Sequence, residues 1–151
     1  PAEKAPETPA APAFDEKGVK LEVSRGSASV RGDAALLLRA LSNLVDNALR
    51  HTQDGGMVRL EEALEPDSVC VRISDSGPGV PEADRARIFV RFVRLDRQGE
   101  PGGAGLGLPI AEMIARVHGG GLVVESSSLG GACFVLRLPR LLASSRHSRR
   151  A

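Results

Sequence analysis

Polar and apolar positions alternate at the start of the globular chain. Val19, Leu21 and Val23 are separated by Lys20 and Glu22, the period of a strand with one buried face. After a turn at Arg25-Gly26, Ser29 to Arg31 is expected to be its short partner. The period then lengthens. Leu37, Leu41, Leu44, Val45 and Ala48 recur at helical spacing, with Asp33 placed to cap them and Asp54-Gly55-Gly56 to stop them. This predicts a long helix from Asp33 to about His51. Met57 to Leu64 and Val69 to Ser74 read as strands joined by a turn at Glu65-Pro66-Asp67. Pro81, at a first-turn position, predicts a short helix. Leu106 to Val117 predicts a second apolar-faced helix, broken by Gly119-Gly120-Gly121. Leu122 to Ser126 and Cys133 to Leu138 complete the set as strands around a Gly130-Gly131 turn. Strands and helices are intermixed without strict alternation. That pattern predicts an α+β fold, with helices on one face of a mixed sheet.

Composition sets the limits of this domain. The four prolines between Pro1 and Pro12 rule out a regular helix there, so residues 1–13 are expected to be a linker or arm. Residues 14–139 form the globular unit, and 140–151 a tail carrying Arg140, Arg146, Arg149 and Arg150. The aromatic residues are all Phe, so the core must be built from Leu, Val, Ile and Ala. With 20 basic and 19 acidic residues, the net charge of +1 gives no field favouring nucleic acid or an acidic membrane. Cys70 and Cys133 sit in apolar runs without metal-ligand spacing and are expected to be buried thiols. No apolar run approaches the roughly 20 residues of a membrane helix. A membrane anchor of the parent protein would lie outside these residues.

Four stretches carry residues whose types exceed what folding needs. On the long helix, Asn43, Asn47 and Arg50 fall on one narrow stripe opposite the apolar one. A wet helix face accounts for a polar stripe, but Glu or Lys would serve water better than two mid-helix Asn. An Asn amide oxygen can ligate Mg²⁺, a hard cation that bridges to phosphates, and Arg50 lies one turn on. Asp75-Ser76-Gly77-Pro78-Gly79-Val80 follows a strand. It reads either as a tight turn or as a slim backbone bend that admits a flat ligand, with Asp75 accepting from an exocyclic amine. Gly102-Gly103-Ala104-Gly105-Leu106-Gly107-Leu108 leads into a helix, a geometry that can cradle phosphates. Neither the P-loop nor the dinucleotide fingerprint fits it, and the long hydrophilic loop before it suggests a lid. Ile88-Phe89-Val90-Arg91-Phe92-Val93-Arg94 reads as two core anchors, or as a lid hinge that carries Arg94.

In order and spacing, these stretches resemble the N, G1, F and G2 boxes of sensor histidine kinase catalytic domains, over about Lys17 to Pro139. The resemblance implies a Bergerat-type two-layer α/β sandwich with a mixed, mostly antiparallel sheet. It implies ATP and Mg²⁺ as ligands, with the metal at Asn47. Asn43, Arg50 and His51 would line the phosphate and ribose region. Asp75 would take the adenine amine, in a pocket shaped by Gly77, Gly79 and Val80. Phe89 and Phe92 match the F box, and Arg94 a basic residue near the γ-phosphate. Gly103, Gly105 and Gly107 would cap the triphosphate, with Leu106 and Leu108 behind them. Asn47, Arg50 and Arg94 are the residues expected to carry catalysis. Hydrolytic relatives place Glu where this chain has Asn43; a neutral amide is a poor base, so ATP should be held for transfer. The departures are the proline-rich opening in place of a helix, Ala104 in place of a common Thr, and Ala132 and Cys133 where a hydroxyl is usual near the Asp.

None of His51, His118 and His147 has a His-Glu or His-Asp context. The phosphoacceptor is therefore expected on a separate dimerisation and phosphotransfer domain of the same protein, with a response regulator downstream. This piece is expected to be a monomeric cytoplasmic domain, its parent anchored in a bacterial inner membrane, and to bind ATP without phosphorylating itself. The competing readings are an anti-sigma type serine kinase, a degenerate regulatory module, and an ATPase.

Overall fold

A computed structural model describes residues 17–24, 26, 28–90 and 106–141. The strands are β1 (Lys20–Ser24), β2 (Met57–Leu64), β3 (Ser68–Asp75), β4 (Gly121–Ser126) and β5 (Ala132–Pro139). The helices that pack on them are α1 (Ala34–His51) and α2 (Gly107–Val117). One five-stranded sheet runs β1-β2-β3-β5-β4. Every pair is antiparallel except β1 with β2, which is parallel. The two-layer α+β expectation is met: both helices cover one face.

Two local expectations are corrected. Ser29 to Arg31 is not a strand; the neighbour of β1 is β2. Parallel neighbours need a crossover, and α1 supplies it, so the chain after β1 must climb into the helix instead of folding back as a hairpin. The segment after Pro81 forms 3-10 turns at Glu82–Asp84 and Arg87–Phe89, not one helix, and Pro81 sits outside the first of them. The break between these tight turns lets Ile88 reach the core at 6% exposure.

The core lies between the helices and the inner sheet face. Ala40, Leu44, Val45 and Ala48 of α1 and Ala111, Ile114 and Ala115 of α2 join Val58, Ile73, Phe134 and Leu136. Phe134 meets Phe89 edge-on, with ring centroids 6.4 Å apart. Small Ala residues on both helices let them approach closely without aromatic bulk. On the reverse face Cys70, Cys133 and Val135 are buried together, and both thiols are free. Arg72–Glu125 and Arg137–Glu65 pairs lie on the same face at 2.9 and 3.2 Å. Among the described residues no helix is long and apolar enough to cross a membrane.

Both ends of α1 are fixed by contacts remote in sequence. At its start, Asp33 Oδ1 accepts from Leu36 N–H at 3.1 Å. The Asp33 N–H itself donates to His118 Nε2 at 3.0 Å, and His118 Nδ1 lies 2.8 Å from the Ile114 carbonyl. This pairing puts the ring proton on Nδ1 and clasps the end of α2 to the start of α1. At the end of α1, Thr52 Oγ1 donates to Ala48 O at 2.7 Å. Lys17 Nζ donates to Leu49 O and Thr52 O at 2.9 and 2.6 Å, satisfying carbonyls the helix leaves open. His118→Ala is expected to lower the unfolding free energy by about 1–2 kcal/mol, one hydrogen-bonded bridge. A lower urea midpoint at unchanged slope would register it.

Candidate functional site

The site forms where the C-terminal half of α1, the loop after β3, the start of α2 and the β4–β5 turn meet. β3 ends on Asp75, paired with Val58 across the sheet, so its side chain points to the helix face. It is 2% exposed. Its Oδ1 accepts from Gly77 N–H at 2.9 Å and from Ala132 N–H at 3.2 Å, while its carbonyl accepts from Gly131 N–H at 3.1 Å. Among the described residues no donor reaches Oδ2. Burial pushes the carboxyl above the ordinary carboxylate range, against the opposing pull of the Gly77 and Ala132 amides and of His51.

Glycine is needed here for space. A Cβ on Gly77 would overlap the His51 carbonyl oxygen, so only glycine lets this loop lie against the end of α1. A Cβ on Gly131 would overlap Asp75 Oδ1 and crowd Gly77 N. Gly79, with φ of 80°, rests its backbone against Gly131, and Val80 packs partly buried against the core.

On α1, Asn47 is buried to 9% exposure, unlike the wet face its polarity suggests. Among the described residues nothing hydrogen-bonds its side-chain amide. Asn43 Nδ2 donates to Gly107 O at 3.2 Å, joining mid-α1 to the first residue of α2. Arg50 is exposed on the last turn, and His51 Nδ1 lies 3.0 Å from Asn47 O. Leu106 sits at the N-cap of α2, and Leu108 packs against the core. The structure therefore brings Asn43, Asn47, His51, Asp75, Gly77, Gly79, Val80 and Leu106 to Leu108 onto adjoining elements. Phe92, Arg94, Gly103 and Gly105 lie outside the described residues.

Two parts of the site escaped the sequence reading. Gly131 and the Ala132 amide form the wall behind Asp75, yet Gly130-Gly131 signalled only a turn. A glycine immediately before a strand that must pair beside β3 was the available signal. Only Ala132 of the hydroxyl-lacking pair stands near Asp75; Cys133 alternates to the reverse face. A groove lined by Asp67, Gly120, Val123 and Arg137 lies at the far end of β4 and β5 and holds none of these residues.

The donor set fits a hard cation held with help from a ligand. Asn47 offers one amide oxygen that no protein group occupies among the described residues, and no cluster of three or more His, Cys, Asp or Glu is present among them to cage a metal alone.

Residues 32–142 match the family described as histidine kinase-, DNA gyrase B-, and HSP90-like ATPase. The sensor protein IrlS of Burkholderia pseudomallei is 41% identical over 130 residues, covering 85% of this chain and 28% of that protein. The chain spans between 20% and 30% of the length of the first curated relatives it matches. Among solved structures, the mycobacterial sensor histidine kinase MprB superposes with a TM-score of 0.77 at 30% identity, over 85% of this chain and 89% of that one. The ATP-binding domain of PrrB from Mycobacterium tuberculosis gives 0.69 at 31% identity, over 88% and 90%.

Proposed function

Because this chain belongs to the histidine kinase-, DNA gyrase B-, and HSP90-like ATPase family, as the ATP-binding domain of a sensor histidine kinase, we propose that it binds Mg-ATP and passes the γ-phosphoryl group to a histidine on a separate helical hairpin. One observation carries this reading: His51 abuts Gly77 and Asn43 bonds Gly107, so three stretches remote in sequence close around Asp75 and Asn47.

In this reading Asp75 receives the exocyclic amine of adenine on Oδ2, since Oδ1 is engaged by backbone amides. Gly77, Gly79 and Gly131 keep the slot thin enough for a flat base. The Asn47 amide oxygen holds the metal, which neutralises charge on the phosphates when bound. Arg50 and Arg94 add positive charge, and the N-terminal turn of α2 orients the phosphates. Asn43 acts as a strut to Gly107 and activates no water, which favours transfer over hydrolysis. The acceptor histidine would lie on a separate domain of the same protein, a response regulator would act downstream, and a membrane anchor of the parent would lie outside these residues.

Calorimetric titration with ADP and a non-hydrolysable ATP analogue, with and without Mg²⁺, tests the binding half. Binding strengthened by Mg²⁺ is expected. Acid-labile phosphate on a histidine hairpin supplied in trans tests the transfer half; an acid-stable phosphoserine would favour the serine kinase. Well-folded protein that binds neither nucleotide would overturn the reading in favour of a regulatory module.

A further inference from the structure

Arg85 lies outside the four sequence motifs, in the bend between the two 3-10 turns. Its Nε donates to the Val80 carbonyl at 3.1 Å, and its Nη2 donates to Ser126 Oγ at 3.1 Å. These two partners belong to different walls of the site. Val80 ends the loop that begins at Asp75, and Ser126 is the last residue of β4, where the turn leading to Gly131 begins. That turn is closed by Ser127 N–H to Gly131 O at 2.8 Å, and Gly131 N–H returns to the Asp75 carbonyl at 3.1 Å. The hydrogen bonds thus form a ring: Asp75, Gly131, Ser127, Ser126, Arg85, Val80, and back along the loop to Asp75. The Gly131 and Ala132 amides tie the two walls together at the Asp75 end of the loop; Arg85 is the side chain that ties them at the Val80 end.

We propose that Arg85 is a positioning residue for the base-binding pocket, clipping the Asp75–Val80 loop to the β4–β5 turn so that Asp75 and the Gly77 and Gly131 backbones stay at the spacing a purine requires. The inference rests on the nucleotide reading above. It differs from a general stabilising role in what it spares. The α2 N-terminus and Asn47 lie on other elements, so recognition of phosphates should not depend on the clip. Arg85 also differs from its neighbour Arg87, whose exposed pair with Asp84 at 3.2 Å touches neither wall.

The test compares the parent with Arg85→Ala, Arg85→Lys, Ser126→Ala and the control Arg87→Ala. In nucleotide-free protein, Arg85→Ala is expected to speed hydrogen exchange of the Gly77 and Ala132 amides by about tenfold, leaving β1 and β2 unchanged. It should weaken ADP by about tenfold, the scale of lost charge-assisted bonds, while the affinity for inorganic tripolyphosphate stays within about twofold. In transfer assays KM for ATP should rise with kcat nearly constant. Arg85→Lys, reaching one acceptor, should recover part of the loss; Ser126→Ala, which removes only a hydroxyl, should weaken ADP about threefold; Arg87→Ala should match the parent. Exchange that rises equally across the sheet, equal loss of ADP and tripolyphosphate, or no change in either would each overturn the proposal. A parent that binds no ADP would overturn the nucleotide reading and this inference with it. A parent that binds ADP while Arg85→Ala binds it equally would overturn the inference alone.

Discussion

Asp75→Asn is expected to weaken adenine binding strongly while the domain remains folded. The carboxylate has two jobs on two oxygens. Oδ1 holds the Gly77 and Ala132 amides, and an Asn carbonyl oxygen can continue to do so. The other position then becomes an NH₂ donor facing the exocyclic amine of adenine, also a donor. One hydrogen bond is lost and a buried donor is left against another, about 1–3 kcal/mol, or roughly 5- to 150-fold in affinity. Asp75→Ala removes both oxygens and orphans two backbone amides as well, so it should lower the urea midpoint more than Asp75→Asn does. ADP titration paired with urea unfolding separates these outcomes. If Asp75→Asn bound ADP like the parent, the adenine would sit elsewhere.

The same carboxyl gives a pH signature. Burial raises its folded-state pKa above that of the unfolded chain. The folded state therefore binds the proton more tightly, and its contribution to stability is fully present below the unfolded pKa and is lost as pH rises through the folded value. Adenine binding runs the other way. A protonated Oδ2 is a donor, so ADP affinity should fall on acidification, beginning at a higher pH than an exposed Asp would give. Bound ADP should in turn pull the Asp75 pKa down.

Much of this was legible because strong local signals agreed with the fold. The Leu37-Leu41-Leu44-Ala48 spacing, the Asp33 cap and the Gly55-Gly56 stop marked α1 correctly, and alternation marked the strands. The Ser29–Arg31 strand was misread because β1 finds its neighbour through a crossover, which no local pattern around residue 25 encodes. The helix after Pro81 was misread because tertiary demand on Ile88 outweighed the N1 preference of proline. At the candidate site, Asn47 stood out by residue type, since a mid-helix Asn costs helix propensity, whereas Asp75 lay in a run that read equally well as a tight turn. Gly131, the Ala132 amide and Arg85 were hidden. Backbone amides carry no side-chain signature, and an Arg in a charged stretch gives no hint that two remote acceptors await it.

Asn47→Ala should make the domain more stable and nearly inactive. Asn47 lies in the middle of α1 at 9% exposure, and its amide bonds to nothing among the described residues. Ala is the better helix former by about 0.5 kcal/mol, and no hydrogen bond to the described residues is lost with the amide, so the urea midpoint should hold or rise. An amide with no partner among the described residues is a poor choice for folding and leaves its oxygen available to a ligand. With the metal ligand gone, binding of ADP in the absence of Mg²⁺ should change little, and the increment that Mg²⁺ adds should vanish. Phosphoryl transfer to a hairpin in trans should drop by about 100-fold, the scale of misplacing a reacting group by an ångström. Stability that rises while transfer collapses would mark Asn47 as held for function against the preference of the fold. A variant that lost stability and activity together would instead make Asn47 a structural residue and move the metal to other ligands.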